Sequence, residues 1–373
     1  MSGSIPIATV KGIRIRVHLT FLLVLGWAAF DWGVRQGLGL AGALYGVAFI
    51  SLLFLCVTLH ELGHSLVARR YGVTVRDITL LPIGGLARLE GEMARPRQEL
   101  WMALAGPAVN VVLAAVLGAV ALPLLGWRAL DGLGLLWRRL NGLGFERLLV
   151  ELLAANLGLA LFNLLPAFPM DGGRVLRALL ASRMGESDGT RIAVRVGQGL
   201  AVILGLVGLL GGGLNLVLIA IFIFTGAEQE WRGAQLKTAL RQVPASAALV
   251  RGGVSLSPDD LLARAVDVTL RSGQTDFAVS DRGALMGVLT REDVAEGFRR
   301  YGSNVRVGRV MRTDFPVAQA SDTLLDLQRK MQASGSSVIS LIEGRRFLGL
   351  VTLEDVRNAL QALAARRWRF ERA

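Results

Sequence analysis

Apolar residues gather into long blocks through the first two thirds of the chain, then give way to a mixed pattern after about residue 240. Runs such as "LTFLLVLGWAAF", "GALYGVAFISLLFLCVTL" and "VVLAAVLGAVALPLLG" approach the roughly 20 apolar residues that carry a helix across a bilayer. The blocks predict six spans, at about 17–34, 41–69, 99–126, 147–166, 193–212 and 214–230, the last two parted by a Gly-rich turn. Between the second and third spans, "VTVRDITLLPIGGLARLEGEM" is rich in β-branched residues and partly alternates, so it predicts strands broken or turned at Gly84-Gly85. Extended backbone beside a membrane must be covered by protein or line a cavity. An open edge on it can pair with an extended peptide.

Beyond residue 240 the pattern is that of a soluble α/β region with an internal repeat. "GVLTREDV" (287–294) returns as "GLVTLEDV" (349–356), 62 residues on, and the same offset aligns Asp260 and Leu262 with Asp322 and Leu324. Each copy reads helix, strand, turn, strand, helix, and two such short units complete one core by packing together. The fold class is therefore a polytopic α-helical membrane protein plus a soluble α/β tandem repeat. The first part covers 1–240, with about six transmembrane helices and a small membrane-associated β segment. The second covers 241–373, with repeats at about 245–302 and 307–366.

Composition strengthens the membrane reading: hydrophobic residues make up 53% and mean hydropathy is +0.50. The formal net charge of +12 suggests nucleic acid only until its placement is read. Lys11, Arg14 and Arg16 precede the first run, Arg69, Arg70 and Arg76 follow the second, and Arg232, Lys237 and Arg241 follow the last. Cationic loops stay cytoplasmic, and an even number of spans returns the chain to its starting side. This predicts a multi-pass protein of the inner (plasma) membrane with both termini and the repeat domain cytoplasmic, partnered by lipid rather than nucleic acid. The loop 127–147, with Arg128, Arg138 and Arg139, runs against the trend. A single cysteine, Cys56, excludes an internal disulfide and a Cys-based zinc cluster. The N-terminal apolar run lacks a small-residue cleavage site and reads as a retained span.

Candidate chemistry concentrates in "VTLHELGHSLVARR" (57–70). On a helix, residues i and i+4 share a face, so His60 and His64 can reach one metal ion. Glu61 lies about 100° around, where it can act as general base on a water whose pKa a zinc ion lowers. The bland alternative is two core histidines beside a surface glutamate. Against it, ionisable groups within a span are costly and by default imply function. Two histidines leave a catalytic zinc one protein ligand short. His18 reads as an interfacial residue, whereas Asp171 in "NLLPAFPMDGGRVLRALL" follows an apolar span beside Gly172-Gly173, just after Pro166 and Pro169 break the helix. Capping the next helix is the alternative role for Asp171. In "LAGPAVNVVLAAVLG", Gly106-Pro107 opens or kinks the third span. Asn110 is its lone amide, which can bond between helices or donate to a substrate carbonyl or oxyanion.

HELGH, "AGPAVN" and "PMDGGR" together, in that order, resemble the site-2 protease family of intramembrane zinc metalloproteases, over roughly residues 8–240. "PIGGLARLE" and "IRIRVHLTFLL" fit as well. The resemblance implies one Zn2+ per chain on His60, His64 and Asp171, with Glu61 activating water and Asn110 holding the substrate or oxyanion. It also implies that the Gly84-Gly85 segment pairs with an unwound substrate strand, within regulated intramembrane proteolysis of a membrane-spanning protein. The C-terminal repeat resembles tandem CBS domains, with the typical lead-in "VMRTDFPV" (310–317) and a degenerate "ALVRGGVS" (248–255). That resemblance implies adenine nucleotide (ATP, ADP or AMP) near Thr290, Asp293, Thr352 and Asp355, and a homodimer through the CBS domains. Read on their own, the same Thr and Asp are helix caps. Two rival readings stay open: a transporter or channel regulated by its CBS pair, and a non-proteolytic membrane scaffold with structural zinc.

Overall fold

Alternation in "IRIRVH" wins over the apolar run that follows it. In the computed structural model Ser4–Val10 (β1) and Ile13–His18 (β2) form an antiparallel hairpin from Val10↔Ile13 to Ser4↔His18. Lys11 and Gly12 turn it at φ 47° and 81°, the positive values a two-residue hairpin turn needs. The structure describes residues 3–370 apart from 83, 92, 94, 126–142, 250, 251 and 345, so most of the basic loop expected at 127–147 lies outside the described residues. The chain divides into two compact units, Met1–Ala234 and Gln235–Ala373.

In the first unit, β2 pairs in parallel with Thr74–Leu81 (β3), which pairs antiparallel with Gly84–Glu90 (β4). The sheet order β1-β2-β3-β4 puts β4 at an edge. The expected first span therefore begins as a strand. Its helical part is Phe21–Phe30 (α1), continued by one π-helical segment at Asp31–Arg35.

Gly39–Arg70 (α2) ends with Arg69 and Arg70 in its last turn, where cations meet the negative end of the helix dipole. Gly72 at φ 83° takes the chain out. Pro96–Leu125 (α3) keeps Pro107 inside one continuous helix, so Gly106-Pro107 does not open the span. Phe145–Asn163 (α4), Asp171–Met184 (α5), Glu186–Leu210 (α6) and Leu214–Gln242 (α7) follow. Four described helices, α2, α3, α6 and α7, are long and apolar enough to cross a membrane. The other two expected spans are present as shorter helices. α4 has 19 residues and carries Glu146, Arg147 and Glu151. Glu151 is buried and accepts hydrogen bonds from Tyr45 Oη and Arg147 Nε, each at 2.8 Å.

Leu206, Leu209, Leu210, Leu214, Leu218 and Ile221 are all exposed. An apolar surface of this extent suits lipid rather than water, and the unit is that of an integral membrane protein. Inside it, the segment before α5 is buried: Ala167 and Met170 pack with Ala201 and Ile223, and Phe168 with Ala193, Val194 and Ala227. That segment carries the approach to Asp171.

The second unit repeats one element order. Leu262–Ser272 (α8), Phe277–Asp281 (β5), Ala284–Leu289 (β6) and Arg291–Tyr301 (α9) make the first copy. After a short strand, Val317–Gln319 (β7), the second copy is Leu324–Ser334 (α10), Val338–Glu343 (β8), Arg346–Thr352 (β9) and Leu353–Phe370 (α11). The boundaries differ from those expected, because each copy takes its lead-in from the other's side of the sequence. Leu240, Ala245 and Ala248 are buried in the core of the second copy, where Ala245 N–H donates to Asp322 O and Leu324 N–H to Val243 O. Val305 and Val307 are buried in the core of the first, with Leu262 N–H donating to Val305 O and Val307 N–H to Asp260 O.

Candidate metal centre

Helical spacing on α2 does what the sequence requires of it: His60 and His64 turn to one side, with ring centroids 4.7 Å apart. Asp171 reaches them as the first residue of α5, placed there by the turn after α4. Gly172 and Gly173 make the approach sterically feasible. A Cβ on Gly172 would stand 2.2 Å from Leu165 O, and one on Gly173 would stand 2.6 Å from Ala167 C. His60 Nε2 lies 3.0 Å from His64 Nε2, and Asp171 Oδ2 lies 3.1 Å from His64 Nε2 and 3.3 Å from His60 Nε2.

The other ring nitrogens are engaged by α3. His64 Nδ1–H donates to the Met102 carbonyl at 2.6 Å, and His60 Nδ1–H donates to Asn110 Oδ1 at 3.2 Å. Each bond fixes the proton on Nδ1 and leaves the Nε2 lone pair facing inward. Two nitrogen lone pairs and a carboxylate oxygen then face one another, an arrangement that calls for a positive charge between them.

The space left there fits a metal ion. A Cβ on Gly106 would stand 2.2 Å from His64 Nε2 and 2.6 Å from His60 Nε2, so only glycine leaves both nitrogens unobstructed. Tetrahedral zinc sets its ligand atoms about 3.4 Å apart, near the three observed edges. Among the described residues these three form the one such group of candidate ligands. Three protein ligands with a fourth position left to solvent is the catalytic zinc pattern.

Glu61 shares a cavity of about 370 Å³ with His60, Asn110, Gly84 and Gly85, walled by Phe54, Leu159 and Phe222 among others. β4 closes against it: a Cβ on Gly85 would come 2.5 Å from Glu61 Cγ, while Gly84, at φ 135°, has open space. Asn110 Nδ2 is buried with no hydrogen-bond partner, so the amide that orients His60 with its oxygen keeps its donor available. All six residues expected at the centre, His60, Glu61, His64, Asn110, Asp171 and Gly85, are brought together, with Gly84 at the rim. The sequence reading missed that Gly106 keeps a side chain off both imidazoles, and it missed the Met102 carbonyl as a partner of His64. A small residue one helical turn before Asn110 was the available signal for the first; a backbone carbonyl leaves none.

Comparison with known proteins agrees with this chemistry. The model for peptidase family M50 matches residues 48–204, and the CBS domain model matches 307–362. A zinc metalloprotease of Methanocaldococcus jannaschii is 33% identical over 365 residues, 97% of this chain and 98% of that one. The chain belongs to peptidase family M50, the site-2 protease family, and carries a C-terminal CBS domain. The solved site-2 protease from Methanocaldococcus jannaschii is 38% identical with a TM-score of 0.43, covering 61% of this chain and 95% of that one. Membership makes this M50 chain a zinc metalloprotease.

In the second unit of this M50 protein, the four expected nucleotide residues do not come together. Thr352 and Asp355 line a cavity of about 550 Å³ with Gly252, Gly253, Gln274 and Asp276 among others. Thr290 and Asp293 lie outside it. They form a capping box at the start of α9, and Arg312 Nε donates to Asp293 Oδ1 at 2.7 Å. The guanidinium occupies the carboxylate that the resemblance assigned to a ligand, so the expectation that Thr290 and Asp293 join Thr352 and Asp355 near one nucleotide is corrected.

Proposed function

We propose that this protein is an intramembrane-cleaving zinc endopeptidase that hydrolyses peptide bonds within or near the transmembrane segments of membrane-tethered substrates. The convergence of His60 Nε2, His64 Nε2 and Asp171 Oδ2 beside Glu61, within a unit faced by exposed apolar side chains, carries this reading.

A substrate helix has all its peptide bonds paired internally and must unwind before a carbonyl can reach the site. The edge of β4 supports such a step, since an extended segment can add to it and set a peptide bond beside Glu61. Bound zinc supplies Lewis acidity to the carbonyl and acidity to a water. Glu61 takes the proton from that water as it attacks, then passes it to the leaving amine. Asn110 Nδ2 donates to the carbonyl oxygen as negative charge develops there. The α3 contacts keep both imidazoles in the tautomer that presents Nε2.

Arg69 and Arg70 at the end of α2 support a site near the cytoplasmic face, with both termini and the CBS unit on that side. The cavity beside Thr352 and Asp355 supports regulation by an adenine nucleotide. The exposed apolar Leu270 and Phe298 on α8 and α9 suit a homodimer through the CBS unit.

The test is Glu61→Gln in purified, membrane-reconstituted protein. It is expected to retain one zinc per chain and to leave a membrane-tethered reporter uncut. Absence of zinc from the wild type, or cleavage undiminished in the variant, overturns the proposal.

A further inference from the structure

Asp171 is held from a different helix than the two histidines, so its aim depends on what fixes α5. One part-buried cation ties it to two other helices. Arg177, on α5, donates through Nε to Glu99 Oε1 at 2.9 Å, and its terminal nitrogens pair with Glu99 and Glu230. Glu99 opens α3, the helix that supplies Met102 O and Asn110 to the histidines, and Glu230 lies on α7. The same guanidinium sits over the ring of Phe168, 5.4 Å from its centroid, in the segment that leads to Asp171. α7 reinforces the hold along one stripe at helical spacing. Ile223 packs with Ala167 and Met170, and Ala227 with Phe168. A Cβ on Gly226 would stand 2.6 Å from Pro169 Cδ.

We propose that Arg177 is a positioning residue for the metal ligand Asp171: by bridging Glu99 and Glu230 it fixes α5 so that Oδ2 meets both histidines. This inference rests on the zinc reading of His60, His64 and Asp171. Only a guanidinium meets the demands of the position. Its planar fork addresses two carboxylates at once while its face stacks on an aromatic ring, whereas a lysine ammonium is a point charge. Without it, two carboxylates from α3 and α7 face each other across α5, and like charges brought that close repel.

The experiment measures zinc affinity by chelator competition and the visible spectrum of the cobalt-substituted protein. It compares full-length wild type with R177M, R177K and E230Q, all in lipid nanodiscs. Loss of partners that orient a metal's ligands typically lowers affinity about 10–100-fold. R177M is expected to lose zinc affinity on that scale and to shift the cobalt spectrum, with R177K recovering only part and E230Q moving the same way. R147M, which breaks the Arg147–Glu151 pair elsewhere in the unit, serves as the control for general destabilisation and is expected to keep wild-type zinc affinity. Should R177M fail to fold, E230Q and R177K give the reading. Wild-type affinity and spectrum in the folded Arg177 and Glu230 variants overturn the proposal, as does an equal loss in R147M. A wild type that binds no zinc overturns the metal reading first, and this one with it.

Discussion

Gly85 lies against Glu61 so closely that a β-carbon on it would come 2.5 Å from Glu61 Cγ. Strand β4 thus sets where Glu61 stands, besides being the edge proposed to take a peptide. Gly85→Ala is expected to displace the Glu61 side chain. A misplacement of about 1 Å at a reacting group can cost about 100-fold in rate. The fall should appear in kcat with zinc content unchanged, as read by single-turnover cleavage and metal analysis. Zinc loss in parallel with activity would place the effect at the ligands instead.

Asn110 has two ends with separable duties. Its oxygen orients His60 at 3.2 Å, its nitrogen is buried without a partner, and the residue lines the same cavity as Glu61. Asn110→Ala removes both, and both zinc affinity and kcat should fall. Asn110→Asp keeps an acceptor for His60 Nδ1–H and loses the donor. Zinc should stay while kcat falls about 100–1000-fold, the scale of a lost oxyanion donor. Equal zinc loss in the two variants would argue against the division.

The exchanged lead-ins of the CBS unit bear on how it can be cut. A fragment of residues 304–373 lacks Leu240, Ala245 and Ala248, which are buried in its core. It should fail to give a cooperative melt by circular dichroism, whereas residues 235–373 should unfold in one transition. A stable fragment 304–373 would show that the exchange contributes little.

The two copies should also differ in ligand binding. Asp355 faces the 550 Å³ cavity, while Asp293 is paired with Arg312 at 2.7 Å. Titration calorimetry with ADP is expected to show one site per chain, lost in Asp355→Ala and kept in Asp293→Ala. The opposite pattern would reverse the assignment.

What the sequence made legible was local. His60, Glu61 and His64 lie within two turns of one helix, so spacing alone put the two imidazoles on one side with Glu61 about 100° around. Asp171 announced itself as a carboxylate between broken helix and paired glycines. The strands at 74–90 and the 62-residue repeat were visible as period and self-similarity. Long-range pairings carried no such mark. Arg177 meets residues 78 and 53 positions away, and in sequence it is one more cation at a span end. Arg312 sits within the typical lead-in "VMRTDFPV" and gave no sign that it would take Asp293. "IRIRVH" misled because the apolar run behind it pulled the expected span forward, although its own alternation spelled a strand.

One helix ties these observations together. α7 presses Ile223, Gly226, Ala227 and Glu230 onto the segment that aims Asp171, then ends with Leu240 inside the core of the second CBS copy, under three helical turns further on. That copy also contributes Thr352 and Asp355 to the cavity. The helix that bears on the approach to Asp171 and the first residue of the core that positions Thr352 and Asp355 thus share one uninterrupted run, Leu214–Gln242.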